Sequence, residues 1–241
     1  MAFFKNIFSF FIVCGYLAVS ASAMDEAENE GLPSALKFFP SELFLPSENV
    51  EVKNAKNFPG TGIIAKKAFA KGEKIFTSFA VPWLEEFPDD VQFFLNGKKF
   101  THNREIHTYI VGESFAIYSG WNCFMNHSCD PNTGGFDYVY PSETEEKFSF
   151  TAVALKSIAP GDELTCDYNT FEWDIPSKQQ IEKCLCGSDV CLSKDNLPIK
   201  GMKYLPLRLQ KQKFSLAIPP IQEQLKEQNP SAFLTVNASK L

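Results

Sequence analysis

Residues Trp121–Gly134 read WNCFMNHSCDPNTG, which places a histidine, two cysteines, three asparagines, an acid and a proline within one short stretch. Four readings compete for it: a metal site, a nucleophile beside its base, a tight structural turn, and the floor of a pocket. A Cys/His nucleophile pair is disfavoured, because Cys123 lies among Trp121, Phe124 and Met125, where a buried and inert thiol is the ordinary expectation. Cys129 has a better use downstream. Asn126-His127-Ser128 also spells a glycosylation sequon, as does Asn237-Ala238-Ser239, and the first sits in what reads as packed structure.

Further along the chain, Cys184, Cys186 and Cys191 form Cys-x-Cys-x4-Cys. Three thiolates this close can reach one ion, and a tetrahedral zinc site then needs a fourth ligand from elsewhere. Cys129 is the natural candidate. A pair of disulfides is the competing reading, and since a Cys-x-Cys pair does not bridge to itself comfortably, it would need Cys123, Cys129 or Cys166 as partners. Four cysteines around zinc leave no open position for water, so the ion would be a structural clasp and catalysis would lie elsewhere.

Around these motifs the chain reads as an ordinary globular protein of 241 residues, 44% hydrophobic and 22% charged, large enough for a substantial core. Its net charge of −6 argues against nucleic-acid binding and mildly favours a basic partner. Residues 1–23 read as a signal peptide: Lys5 is the sole charge, an apolar run extends from Ile7 to Val19, and Ala21-Ser22-Ala23 supplies small residues for cleavage. The expectation is a secretory address with no membrane span after cleavage; an uncleaved anchor, an organelle address or use of the nucleus or cytosol are the alternatives. Residues 24–37 are acidic and lack an apolar period, and residues 24–45 are read as a flexible lead-in.

Short strands are expected at Ile63–Ala65 and Glu73–Thr77, with a Lys71-Gly72 turn between them. A similar phrase returns late, with strands at Ser149–Leu155 and Glu163–Cys166 and a Pro160-Gly161 turn. Residues 82–97 suggest a short helix closed by Gly97. Residues 98–120 read equally as strand or loop, and Tyr140–Phe148 as a charged hairpin tip. In the C-terminal tail, residues 201–241, one peripheral helix is expected after Pro220. The fold class is mostly β.

Taken in order, GTGIIA (60–65), FMNHSCDPNT (124–133), GDELTCDY (161–168) and CLCGSDVC (184–191) closely resemble the SET-domain protein lysine methyltransferases that carry a post-SET cysteine segment. On that resemblance residues 46–172 are the SET domain and residues 180–200 the post-SET zinc segment. The resemblance implies small curved β-sheets in which the segments Asn126–Asn132 and Glu163–Tyr168 cross as a pseudoknot, an exception to the usual rules of chain topology. It implies S-adenosylmethionine as cofactor, approached by the backbone of Gly60, Thr61 and Gly62, with main-chain and side-chain hydrogen bonds from Asn126 and His127. Tyr168 matches the tyrosine beside the methyl transfer and is the candidate catalytic residue. Cys129, Cys184, Cys186 and Cys191 would hold a structural zinc ion.

The implied substrate is a lysine side chain in a protein or peptide, histone tails included, and the enzyme is expected to act as a monomer. A catalytically silent SET domain serving as a zinc-stabilised binding module is the alternative, and a disulfide-stapled secreted domain a third. Cys166 stands where the family often has Phe or Tyr, so more than one methyl group should fit. No cysteine-rich segment precedes Gly60, which disfavours the branch with a zinc-binding pre-SET segment.

Overall fold

The apolar run Thr61–Ala65 is too short for a helix and rich in β-branched residues. It becomes a strand buried on both faces, which is the environment such a run fits. The structure, a computed structural model, describes residues 48–55, 60–82, 90–95, 98–103, 108–111, 114–118, 120–139 and 149–233, all within the unit Pro33–Leu241. The expected signal peptide and lead-in, the tip of the hairpin at 140–148 and the second sequon lie outside the described residues.

Among the described residues the strands in chain order are β1 (Val50–Asn54), β2 (Thr61–Ala65), β3 (Lys74–Pro82), β4 (Asp90–Leu95), β5 (Lys98–Asn103), β6 (Thr108–Val111), β7 (Ser114–Tyr118), β8 (Asn126–His127), β9 (Thr133–Val139), β10 (Ser149–Ala154) and β11 (Glu163–Cys166). They form three small sheets, with orders β1-β2-β11-β8, β6-β7-β3-β10-β9 and β4-β5. The two similar phrases of the sequence face each other. Phe69 and Ile158 exchange backbone hydrogen bonds of 3.0 and 2.9 Å, and Ala65 N–H donates to the Asp162 carbonyl at 2.8 Å.

Two expectations are corrected here. Asp90–Leu95 is a strand rather than part of a helix, and it pairs antiparallel with β5 from Leu95↔Lys98 to Asp90↔Asn103. The Asn96-Gly97 pair between the two strands is a strong two-residue hairpin signal, and it outweighs the helical reading of the residues before it. The undecided stretch 98–120 supplies β5, β6 and β7. The tail helix is not peripheral: Pro219–Gln228 buries Ile221 and Leu225, a spacing of four that puts both on one face. A second helix, Leu207–Lys213, precedes it and buries Leu209.

Buried residues gather into two apolar clusters. One holds Ile63, Phe69, Trp121, Phe124, Ala152, Leu164 and their neighbours under the β-sheets. The other joins Cys129, Cys184 and Cys191 to Met202, Phe214, Ile221, Leu225 and Phe233 of the tail.

The crossing of the two polar segments holds the sheets' centre. β8 lies parallel to β11, with Asn126 opposite Thr165 and His127 opposite Cys166, while the other edge of β11 pairs antiparallel with β2. Asn132 clamps the strand from outside the ladder: its Nδ2 donates to the Glu163 carbonyl at 2.8 Å and its Oδ1 accepts from Thr165 N–H at 2.9 Å. The Thr133 hydroxyl donates to the Thr165 carbonyl at 2.8 Å, and Ser128 N–H to the Cys166 carbonyl at 2.8 Å. Each segment therefore satisfies backbone groups that the other would leave buried and bare.

Truncating Asn132 removes two of these bonds and strands partly buried partners, so Asn132→Ala should lower unfolding stability by about 2–4 kcal/mol in urea denaturation. A loss below about 0.5 kcal/mol, the range of neutral surface changes, would mean that this side chain does not hold the crossing.

Candidate functional site

Gly62 is where β2 meets the crossing. A Cβ at this position would stand 2.4 Å from Glu163 Oε1 and 3.0 Å from Asn126 Nδ2, so only glycine lets the two side chains lie against the strand. Asn126 Nδ2 donates to the Thr61 carbonyl at 3.0 Å and to Glu163 Oε1 at 2.7 Å. Both amide hydrogens are thereby engaged, and what Asn126 offers a ligand is the acceptor Oδ1. Its partial burial and its two partners leave the first sequon poorly placed for modification. Gly60 sits just upstream with φ of 111° and no atom within 4 Å of where a Cβ would stand. Glu163, which orients Asn126, was part of the strand motif and carried no site signal of its own.

His127 is fully buried, and both of its ring nitrogens bond inward. Nδ1 accepts from the Tyr168 backbone N–H at 3.1 Å, and Nε2 lies 3.3 Å from Cys129 Sγ. A nitrogen that accepts carries no proton, so the neutral ring keeps its proton on Nε2 and donates it to sulfur. The ring is thus engaged on both sides inside the protein. The neighbouring thiol two residues on occupies one of those sides. β8 is the edge strand of its sheet, and an edge strand directs one row of backbone donors and acceptors away from its neighbour.

Tyr168 packs against both apolar clusters and meets the His127 ring edge-on, with centroids 5.3 Å apart. Its hydroxyl donates to the Met125 carbonyl at 2.9 Å. Burial first, then the neighbouring Cys166 thiol and Glu163 carboxylate, hold the phenol above its ordinary range, so it stays protonated as pH rises past neutrality. The preceding residue, Asp167, is buried and caps the turn Tyr168–Thr170: Oδ1 accepts from Asn169 N–H at 3.1 Å and from Asn169 Nδ2 at 3.0 Å. Its Oδ2 pairs with Lys213 from the C-terminal tail. Nothing local in the sequence linked positions 46 residues apart.

Cys129, Cys184, Cys186 and Cys191 come together as one cluster whose sulfurs all lie within 4.8 Å of one another. Four thiolates on a tetrahedral ion with metal–sulfur bonds of about 2.3 Å would be separated by about 3.8 Å. The Cys129 and Cys184 sulfurs are 3.8 Å apart. The cluster also has the outer partners a thiolate centre needs: Leu192 N–H donates to Cys129 Sγ at 3.3 Å, Cys186 N–H to Cys184 Sγ at 3.4 Å, and the His127 ring to Cys129. The four cysteines can hold a metal ion, and the donor set fits it. Among the described residues no cysteine is in a disulfide, and burial pushes up the thiols of Cys123 and Cys166.

Residues 60–169 match the SET domain family model. Among curated proteins, the chain is 34% identical over 104 residues to the histone-lysine N-methyltransferase, H3 lysine-9 specific dim-5 of Neurospora crassa, covering 39% of this chain and 31% of that protein. It is 29% identical over 120 residues to histone-lysine N-methyltransferase SETD2 of Homo sapiens, covering 47% of this chain and 4% of that protein. It is 41% identical over 68 residues to the histone-lysine N-methyltransferase, H3 lysine-9 specific SUVH1 of Nicotiana tabacum, covering 28% and 9%. The chain thus spans less than a third of the length of each of these relatives.

Elemental analysis of purified protein should find about one divalent metal ion per chain, as a four-thiolate site requires. Cys129→Ser should lose the metal and lower the melting temperature, because metal affinity of this kind is also folding stability. Full stability in a metal-free chain would count against the site.

Proposed function

We propose that this chain, whose residues 60–169 form a SET domain, transfers methyl groups to lysine side chains of proteins. The observation that carries the reading is the Tyr168 phenol fixed by the Met125 carbonyl at the meeting of β8 and β11, beside an Asn126–Glu163–Gly62 cradle. Relatives named as histone-lysine methyltransferases support it and make a histone or another Lys-containing protein the substrate class. Zinc is the metal that best suits four thiolates in a closed site, and residues 180–200 then act as a post-SET clasp.

S-adenosylmethionine, when bound, supplies the electrophilic methyl group. The residues that would hold it are Gly60, Thr61 and Gly62 through their backbone, Asn126 through Oδ1 and main chain, and His127 through main chain alone. The edge of β8 and the open φ 111° turn at Gly60 fit a ligand laid against the sheet.

Tyr168 orients rather than deprotonates. Its hydrogen is directed at Met125, so the oxygen lone pairs face elsewhere and can accept weak contacts from the methyl group and from the incoming amine. A free lysine amine is mostly charged near neutrality, with a pKa of about 10.4, so its proton must leave before attack. A phenol held protonated is not the group that takes it, and solvent does. Alignment and exclusion of water are then the protein's main contributions. The small side chain of Cys166, at the strand end before Asp167 and Tyr168, leaves space for more than one methyl group.

The histone names of the relatives favour a nuclear or cytosolic workplace over the secretory address expected from residues 1–23. Among the described residues no helix is long and apolar enough to cross a membrane.

Incubation of the protein with labelled S-adenosylmethionine and a panel of histones and whole-cell proteins should label a lysine, and mass spectrometry of the product should find more than one methyl group on it. Tyr168→Phe should lower the rate by about 10²-fold or more, the scale of losing a positioned group at the reacting centre. No labelling by wild type, or equal labelling by Tyr168→Phe, would sink the proposal. Because the phenol's pKa is raised, its ionisation cannot depress the rate below pH of about 10, so the pH–rate profile should climb as the substrate amine loses its proton. A fall in rate between pH 7.5 and 9, shared by stable enzyme and absent from Tyr168→Phe, would contradict this assignment.

A further inference from the structure

The C-terminal tail, left without a role by sequence motifs, grips the turn that carries Tyr168 at three points. Gly201 N–H donates to Asn169 Oδ1 at 3.1 Å, Ile218 N–H donates to the Thr170 carbonyl at 2.9 Å, and Lys213 pairs with Asp167. Asp167 and Asn169 are among the most buried polar residues described, and the Lys213 side chain is 12% exposed.

We infer that Lys213 is a positioning residue for the transfer proposed above: by neutralising Asp167 it keeps the Tyr168–Thr170 turn, and with it the Tyr168 phenol, in the geometry that the reaction uses. This rests on the methyltransferase reading for its catalytic consequence, though not for its structural content.

The argument is electrostatic. Asp167 Oδ1 accepts two hydrogen bonds from Asn169, which leaves Oδ2 as the oxygen that pairs with Lys213. A carboxylate with 1% exposure is stable only when paired. The His127 ring, whose Nδ1 stands 3.7 Å from Asp167 Oδ1, does not supply the charge, since that nitrogen accepts from Tyr168 N–H. Lys213 does. Without it, Asp167 Oδ2 is buried with no partner cation, and the side chain relieves this by swinging toward water. That releases the turn's cap, and Tyr168 is the first residue of that turn. Because Lys213 sits in the last turn of the helix Leu207–Lys213, which buries Leu209 and Gln210, the tail's packing is transmitted to the site through one ion pair.

The test compares wild type, Lys213→Met and Lys213→Arg in two measurements. In steady-state methylation, Lys213→Met should lower kcat by about 10²-fold while KM for the peptide and for S-adenosylmethionine stays within about twofold, and Lys213→Arg should restore most of kcat. In native-state hydrogen exchange, the Tyr168 amide should exchange at least about tenfold faster in Lys213→Met relative to the core amide of Leu164, and near the wild-type rate in Lys213→Arg. The exchange measurement needs no activity. If wild type methylates nothing, the functional reading fails and exchange still decides the role of Lys213. A Lys213→Met protein with wild-type kcat and wild-type Tyr168 exchange would overturn the inference, as would acceleration shared equally by Leu164. Should Lys213→Met fail to fold, the double variant Asp167→Asn/Lys213→Met removes the buried charge along with its partner. With no charge left to neutralise, and an amide oxygen still able to accept from Asn169, this variant should fold with Tyr168 exchange within about threefold of wild type relative to Leu164, and acceleration of about tenfold or more would overturn the proposal.

Discussion

The structure depends on one exchange of hydrogen bonds between segments that are far apart in the chain. Neither Asn126–Asn132 nor Glu163–Tyr168 can satisfy its own buried backbone, and each does so through the other. Asn132 is the clearest case, since its amide serves as one more rung of a ladder and reads a donor and an acceptor on the same strand. Polar side chains that stitch backbone are costly to leave unpaired, so the crossing forms as a unit or not at all. Everything proposed for function sits at its edges.

The crossing also explains why two sites with different chemistry lie so close together. His127 belongs to β8, its ring bonds the Tyr168 backbone on one side and the Cys129 sulfur on the other, and one imidazole thereby connects the thiolate cluster to the phenol. Asp167 makes the matching connection to the tail through Lys213. The Tyr168 turn is held from the cysteine cluster and from the C-terminal helices at once. A site that works by alignment gains from such double support, because small displacements of a positioned group cost large factors in rate.

Parts of this were legible in the sequence for local reasons. Ile63–Ala65, Ser149–Leu155 and Glu163–Cys166 read as strands next to Gly turns, and they are strands, the second ending at Ala154. Three cysteines in eight residues advertise a metal centre through spacing alone. Other parts were hidden. The Asn96-Gly97 hairpin signal lost to a helical reading of the residues before it, although Asp90–Leu95 pairs with Lys98–Asn103. The tail helix was expected to be peripheral, yet the single apolar face of Ile221 and Leu225 is sufficient to join the second core.

The sequence by itself determined the inventory: which side chains can bind metal, which glycine must approach a neighbour closely, which tyrosine can face a reaction, and the family they resemble. Tertiary structure alone decided their assignments. It chose which nitrogen of His127 carries a proton, engaged both sides of that ring inside the protein, and brought Lys213 to Asp167. The physical reason is that periodicity and spacing report burial and local geometry over a few residues, whereas a hydrogen bond's direction and an ion pair's partner are set by contacts among segments tens of residues apart.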